Sequence, residues 1–252
     1  MPHKRLIPAM LLSGGRLVKG RRFADHEDAG NPVTTAKIYN DQMADEILVL
    51  DIDATPRGQA PDLETLRAMA QRCFVPIAFG GGVASVETGR EVLRAGADKL
   101  VVNAAALRDP SLVTQMASQF GRQAVVVAID CVTAAGGARV AADCGRRATD
   151  RDPLDWAQAV ARAGAGEILL TSVEREGARS GTDIELCRRV ARSVDIPVIV
   201  HGGVGRLEDF VAAVTDGTAA AVAAGRTFQF ADNNLIKVRR FMIGQGVDLR
   251  PN

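Results

Sequence analysis

The sequence has almost no net charge: 31 lysines and arginines stand against 30 aspartates and glutamates in 252 residues, a formal balance of +1. No overall field therefore draws the chain to nucleic acid or to a membrane surface, and any anion site has to be built locally. Long hydrophobic runs are missing as well. The apolar stretch Leu6 to Leu12 is too short for a spanning helix and runs straight into Ser13-Gly14-Gly15, so neither a membrane span nor a signal peptide is read there and the expected location is cytoplasmic. Cysteine is sparse. Cys73, Cys131, Cys144 and Cys187 are widely spaced with no CxxC pair, which argues against a disulfide framework and against a zinc site. Nothing in the sequence asks for a metal or a cofactor.

What is present is a regular alternation. Short apolar runs cover Arg5 to Leu12, Glu46 to Ile52, Val75 to Phe79, Lys99 to Asn103, Ala124 to Ile129, Glu167 to Thr171, Ile196 to Val200 and Ala219 to Ala223. Each is continuous rather than alternating, as expected of strands buried on both faces of a parallel sheet. Amphipathic stretches such as Leu63 to Gln71, Ser85 to Arg94, Leu112 to Phe120, Leu154 to Ala163, Ile184 to Ser193 and Leu207 to Val214 lie between them. Eight alternations in 252 residues predict a single α/β domain over 1–252, a (β/α)₈ TIM barrel.

The chain also repeats itself. Pro76-Ile77, Gly81-Gly82-Val83 and Gly96 recur without a gap 121 residues later as Pro197-Val198, Gly202-Gly203-Val204 and Gly217, and Glu46-Ile47-Leu48 falls on Glu167-Ile168-Leu169. A period this long indicates a duplicated half-barrel rather than a solenoid. Gly80-Gly81-Gly82 closes the third run and Gly202-Gly203 the seventh; Asn103-Ala104 and Ala224-Gly225 end the fourth and eighth. Glycine at such turns lets backbone N–H groups approach an oxyanion closely. Two clusters in register predict two anion sites and a bisphosphorylated small molecule as ligand. A second constellation sits at the opposite ends of the strands, where Arg5, Glu46, Lys99 and Glu167 each start a run. Two positive and two negative side chains there predict a mutually paired ring, since burial without pairing is costly.

Taken together, Arg16-Leu17-Val18-Lys19-Gly20, Phe79-Gly80-Gly81-Gly82, Gly96-Ala97-Asp98-Lys99, Pro110-Ser111-Leu112, the run Gln123 to Asp130, the run Gly164 to Ser172, and Ser180-Gly181 closely resemble the cyclase subunit of imidazole glycerol phosphate synthase, over nearly the whole chain. The resemblance implies a heterodimer with a class I glutaminase subunit docked at the bottom of the barrel, which supplies ammonia for cyclisation of a bisphosphorylated ribulosyl aminoimidazole substrate. It implies that Gly82, Asn103, Thr171, Gly177, Gly203, Ala224 and Gly225 are phosphate positions, that Lys19 belongs to a flexible first loop, that the Arg5, Glu46, Lys99 and Glu167 ring gates an ammonia passage, and that Asp98 and Gln123 face the glutaminase.

One departure bears on chemistry. The family carries an aspartate at the ends of strands one and five as general acid and base; Asp130 matches the second, but Leu11 occupies the first. Leucine moves no proton, and losing one such group costs about 10² to 10⁴ in rate. Asp51, in Asp51-Ile52-Asp53-Ala54, is a second candidate carboxylate at the barrel mouth. Asp53, Glu176 and His201 also differ from the residues usual in the family. Met10-Leu11-Leu12 with Asp51-Ile52-Asp53-Ala54 resembles paralogues encoded with bacterial surface-polysaccharide genes, which imply ammonia delivery toward a separate sugar amidotransferase instead of cyclisation. A true cyclase in histidine biosynthesis, with another carboxylate replacing the lost one, is the alternative.

Overall fold

A computed structural model describes residues 3–229 and 233–250. Eight parallel strands form the predicted barrel: strand one Arg5–Ser13, two Ile47–Asp51, three Ile77–Gly80, four Lys99–Val102, five Val125–Ala134, six Glu167–Ser172, seven Val198–His201 and eight Ala221–Ala224. They pair in sequence order, strand eight pairs back to strand one, and the sheet closes on itself. Helices fill the intervals, and no helix among the described residues is long and apolar enough to cross a membrane.

Local chemistry explains where the helices begin. Asp62 accepts from Thr65 N–H, Ser85 from Thr88 N–H, Asp152 from Leu154 N–H and Asp183 from Leu186 N–H, each satisfying an N–H that the helix itself cannot. Pro153 takes the first helical position, where its missing N–H costs nothing. Asp62 and Asp183 are themselves 121 residues apart, so the duplication extends to the capping of equivalent helices.

Two features escape the apolar-run reading. Arg16–Arg21 and Ala24–Gly30 form an antiparallel hairpin on the end of strand one, with one face of Ala24–Gly30 too polar to read as a strand. Strand five continues five residues beyond Ile129 and turns back as Gly137–Ala142, a short return strand too rich in glycine and alanine to stand out as an apolar run. Strands three and seven start two residues later than expected, because Val75-Pro76 and Ile196-Pro197 lead into them with a proline that donates no ladder hydrogen bond.

Strand residues alternate between two separate cores. One side packs against the helices and contains Leu6, Met10, Leu12, Phe79 and Phe210. The other fills the barrel with Ile7, Ala9, Leu48, Ala78, Val101, Val126, Ala128, Leu169, Ile199, Ala221 and Ala223. The period of two then fixes which neighbours also face inward: Arg5 and Leu11 on strand one, Asp130 on strand five, Glu167 and Thr171 on strand six, and His201 on strand seven.

The C-terminal helix Leu235–Gly244 is tied to the barrel floor by Arg239, only 2% exposed. Its guanidinium meets Asp45 at 2.9 Å and donates to the carbonyls of Met43 and Arg250, while Asp45 also accepts from Leu6 N–H at 2.7 Å. Removing one partner of a buried, hydrogen-bonded charge pair strands the other. Arg239→Ala is expected to lower the unfolding free energy by about 3–5 kcal/mol in a urea titration; a loss under about 1 kcal/mol would show that the pair is not holding the helix.

Candidate functional site

The barrel interior changes character from floor to mouth. At the floor Arg5, Glu46, Lys99 and Glu167 close the predicted ring: Arg5 meets Glu46 at 2.7 Å and Glu167 at 3.1 Å, and Lys99 meets Glu46 at 2.6 Å and Glu167 at 3.1 Å. Glu46 is the deepest of the four. Burial works against the Arg5 guanidinium, but Glu167 and Glu46 outweigh it and hold Arg5 above its ordinary range. Above the ring, every inward position up to the mouth is aliphatic or glycine, and five of the side chains are alanine. Such a lining offers an ion nothing to replace its hydration, whereas a small neutral molecule loses far less on entering it.

Polarity returns in one row near the mouth. Asp130, Thr171 and His201 lie on neighbouring strands in direct register, and all three are buried. Asp130 Oδ2 accepts from Asn103 Nδ2 at 2.8 Å, and Asn103 and Thr171 both favour the ionised carboxylate. Burial nevertheless dominates and pushes Asp130 up to about 6. The Thr171 hydroxyl lies 3.4 Å from His201 Nδ1. Burial, with the positive charge of Lys19 nearby, pushes His201 down to about 4, so the ring is neutral at physiological pH. Leu11 projects into the same mouth, 7% exposed, where it carries no titratable group.

Two carboxylates near Leu11 are already engaged. Asp51 was expected to point into the mouth; instead it sits at an outward position of strand two and accepts from three backbone N–H groups, Asp53 and Ala54 at 3.1 Å and Asp62 at 3.0 Å. Its work is to shape the following loop, in a rim pocket of about 150 Å³. Asp53 accepts from the Ser13 hydroxyl at 2.8 Å and Gly14 N–H at 3.0 Å, and pairs with Arg57.

Lys19 is not on a free loop. It lies in the hairpin, 1% exposed, and its ammonium donates to the Ala9 carbonyl at 2.6 Å. Burial pulls it down to about 8 against the opposing charge of Glu176, itself buried with Oε2 unpartnered. A Cβ on Gly225 would come within 2.5 Å of Lys19 Nζ, so glycine is needed there for the lysine to lie across the end of strand eight. A Cβ on Gly177 would meet the Gly20 carbonyl at 2.3 Å, which is where the hairpin straps down on the loop after strand six. Gly82 and Gly203 both have positive φ at equivalent turns, but Gly82 N–H is already bonded to the Thr55 hydroxyl at 3.1 Å. Ala224 ends strand eight beside them. Thr171 lies a layer deeper than these glycines, in the polar row, and the Asn103 side chain is turned onto Asp130.

At the floor, Asp98 and Gln123 are exposed as expected, although Asp98 also accepts from Ile77 N–H at 2.8 Å. Phe74, next to the start of strand three, is 89% exposed. Nothing in its sequence neighbourhood separates it from a core phenylalanine. Among the described residues no group of histidine, cysteine, aspartate and glutamate is placed to hold a metal ion.

Comparison with known proteins agrees with this architecture. The family model described as "Histidine biosynthesis protein" matches residues 5–233. The chain is 45% identical over 246 residues to the imidazole glycerol phosphate synthase subunit HisF of Hyphomonas neptunium, and 41% identical over 248 residues to the subunit of the same name from Alkaliphilus metalliredigens, covering 98% of each chain in both cases.

Asp130 supplies a test by pH. Its folded-state value of about 6 stands above the ordinary 3.8, so the folded state takes the proton more readily than the unfolded one. The resulting penalty is absent below about pH 4 and complete above about pH 6. Asp130→Asn is therefore expected to be more stable than wild type by about 3 kcal/mol at pH 8, with the gain vanishing near pH 4. Equal stability at both pH values in urea titrations would mean that the carboxyl is not under strain.

Proposed function

The chain belongs to the histidine biosynthesis protein family, beside HisF subunits of imidazole glycerol phosphate synthase, and on that footing we propose that it is the ammonia-delivering barrel of a glutamine-dependent amidation complex. The observation that carries this reading is Leu11 in the mouth with Asp51 and Asp53 both committed to loop backbone and side-chain partners. Without a carboxylate free to take the place of the lost acid, acid–base cyclisation has one group where it needs two.

In this reading a class I glutaminase subunit docks one to one on the floor, across Asp98, Gln123 and the exposed Phe74. Ammonia passes the ring of Arg5, Glu46, Lys99 and Glu167 when one pair opens, and the aliphatic interior admits it as the neutral species. A separate sugar amidotransferase consumes it. The glycine turns at Gly82 and Gly203, with Asn103, Gly177, Ala224 and Gly225, form the anion positions of the mouth, and Lys19 closes over the second. The other reading, a cyclase of histidine biosynthesis, is favoured by the identity to HisF subunits along the full chain and by Asp130, whose carboxyl titrates near neutrality as a general acid or base should.

Two measurements separate them. Mixed with a class I glutaminase subunit of the same organism, the barrel should co-elute one to one and raise glutamine turnover; neither effect would defeat delivery. In steady-state cyclisation with saturating ammonium, wild type should be slower than Leu11→Asp by about 10² or more. Robust wild-type turnover, abolished by Asp130→Asn and not improved by Leu11→Asp, would return the protein to histidine biosynthesis.

A further inference from the structure

The charged ring at the floor is built around one seated ammonium group. Lys99 Nζ donates to Glu46 Oε2 at 2.6 Å and to Glu167 Oε1 at 3.1 Å, and its side chain is 16% exposed. The two carboxylates that receive it repeat with the duplication, 121 residues apart, whereas the lysine does not: its counterpart is Ala220. Glu46 also has an acceptor to spare. Its Oε2 takes both Lys99 Nζ and Arg5 NH1, while Oε1 is buried without a hydrogen-bond partner, on a side chain only 3% exposed. A carboxylate oxygen buried without a donor costs free energy, and at this depth only a small species that enters the ring itself can supply one.

We propose that the place held by Lys99 Nζ, between Glu46 Oε2 and Glu167 Oε1, is a binding site for the ammonium ion, which enters the ring by exchanging with the lysine. The two cations are chemically alike. Each is a tetrahedral nitrogen with one positive charge and N–H donors, and free ammonium puts a fourth N–H where lysine has its carbon stem. Glu46 Oε1, on the same carboxylate, is the acceptor that still lacks a donor. Exchange also avoids the cost of simple opening: moving Lys99 out alone leaves two partly buried carboxylates facing one arginine, whereas an incoming ammonium keeps the ring neutral. Arg5 is not exchangeable in this way, because its planar guanidinium reaches Glu46 at 2.7 Å and Glu167 at 3.1 Å from two different nitrogens. The aliphatic wall above offers a cation no acceptor, so the ion stops at this level. The site deepens the proposed delivery reaction, and the inference rests on that reading for its purpose but not for its test.

Lys99→Ala empties the place without touching either carboxylate. In sodium chloride near neutral pH the variant should melt about 5–15 °C below wild type, since a largely buried pair has lost one partner. Ammonium chloride at the same ionic strength should raise its Tm with the logarithm of concentration, as a ligand of the folded state does, and methylammonium, which restores the tip of the lysine, should do the same. Potassium, which has no N–H, and tetramethylammonium should do no more than sodium. Wild type, whose site is filled, should melt alike in ammonium and sodium, and Lys99→Met, which fills the place with an uncharged side chain, should be destabilised yet gain nothing from ammonium. Should Lys99→Ala fold poorly, its refolding yield from urea carries the same expectation, higher in ammonium than in sodium or potassium. A gain from ammonium that is absent from Lys99→Ala, equal in wild type, or matched by potassium overturns the site. If the response appears while a glutaminase subunit is neither bound nor stimulated by the wild-type barrel, the site stands and the delivery reading falls; stimulation without an ammonium response has the reverse meaning.

Discussion

Closing eight parallel strands into a barrel removes water from half of all strand positions, and what stands at those positions can be satisfied only by neighbours across or around the barrel. Every chemical feature of this molecule follows from how that constraint is met at each level. At the floor it is met by charge neutrality, two cations against two carboxylates within 3.1 Å. In the middle it is met by the absence of polar groups. At the mouth it is met by a short hydrogen-bonded row that leaves Asp130 dearer to ionise than a carboxylate in water.

The energetic consequences of the three levels differ in kind. A closed ring of alternating charges holds position because opening any one contact leaves a partly buried ion to be resolvated. The aliphatic section is indifferent to position and selective only for neutrality and size. The row at the mouth is polar but buried, with Asn103 bonded to Asp130 and the Thr171 hydroxyl 3.4 Å from His201 Nδ1. The interior thus passes from a charged floor through an apolar wall to a short polar row at the mouth.

The hairpin after strand one adds a fourth constraint. It is held down by Gly177 beneath the Gly20 carbonyl and by Lys19 on the Ala9 carbonyl. Both contacts require glycine on the opposing chain, at 177 and 225, because any Cβ there would occupy the space of the approaching atoms. The strap buries Lys19 and Glu176, and Gly203 in the second half is buried where its counterpart Gly82 in the first is only partly so. Two halves that repeat in sequence are therefore unequal in accessibility.

The sequence by itself determined the barrel, its duplication and the membership of the charged ring, because these depend on patterns carried along the chain: continuous apolar runs, an ungapped 121-residue register and charges at strand starts. It also made the loss at Leu11 visible. Tertiary structure alone decided what the remaining polar groups do. Asp51 reads as a mouth carboxylate in sequence, yet one step of strand parity turns it outward onto three N–H groups. The family resemblance implies a loop position for Lys19, and only its contact with Ala9 in the hairpin shows it buried. Asp130, Thr171 and His201 are separated by 41 and 30 residues in the chain, and nothing local announces that they are neighbours. Their adjacency is a matter of strand register, which is fixed by the closed sheet as a whole and not by any segment of it.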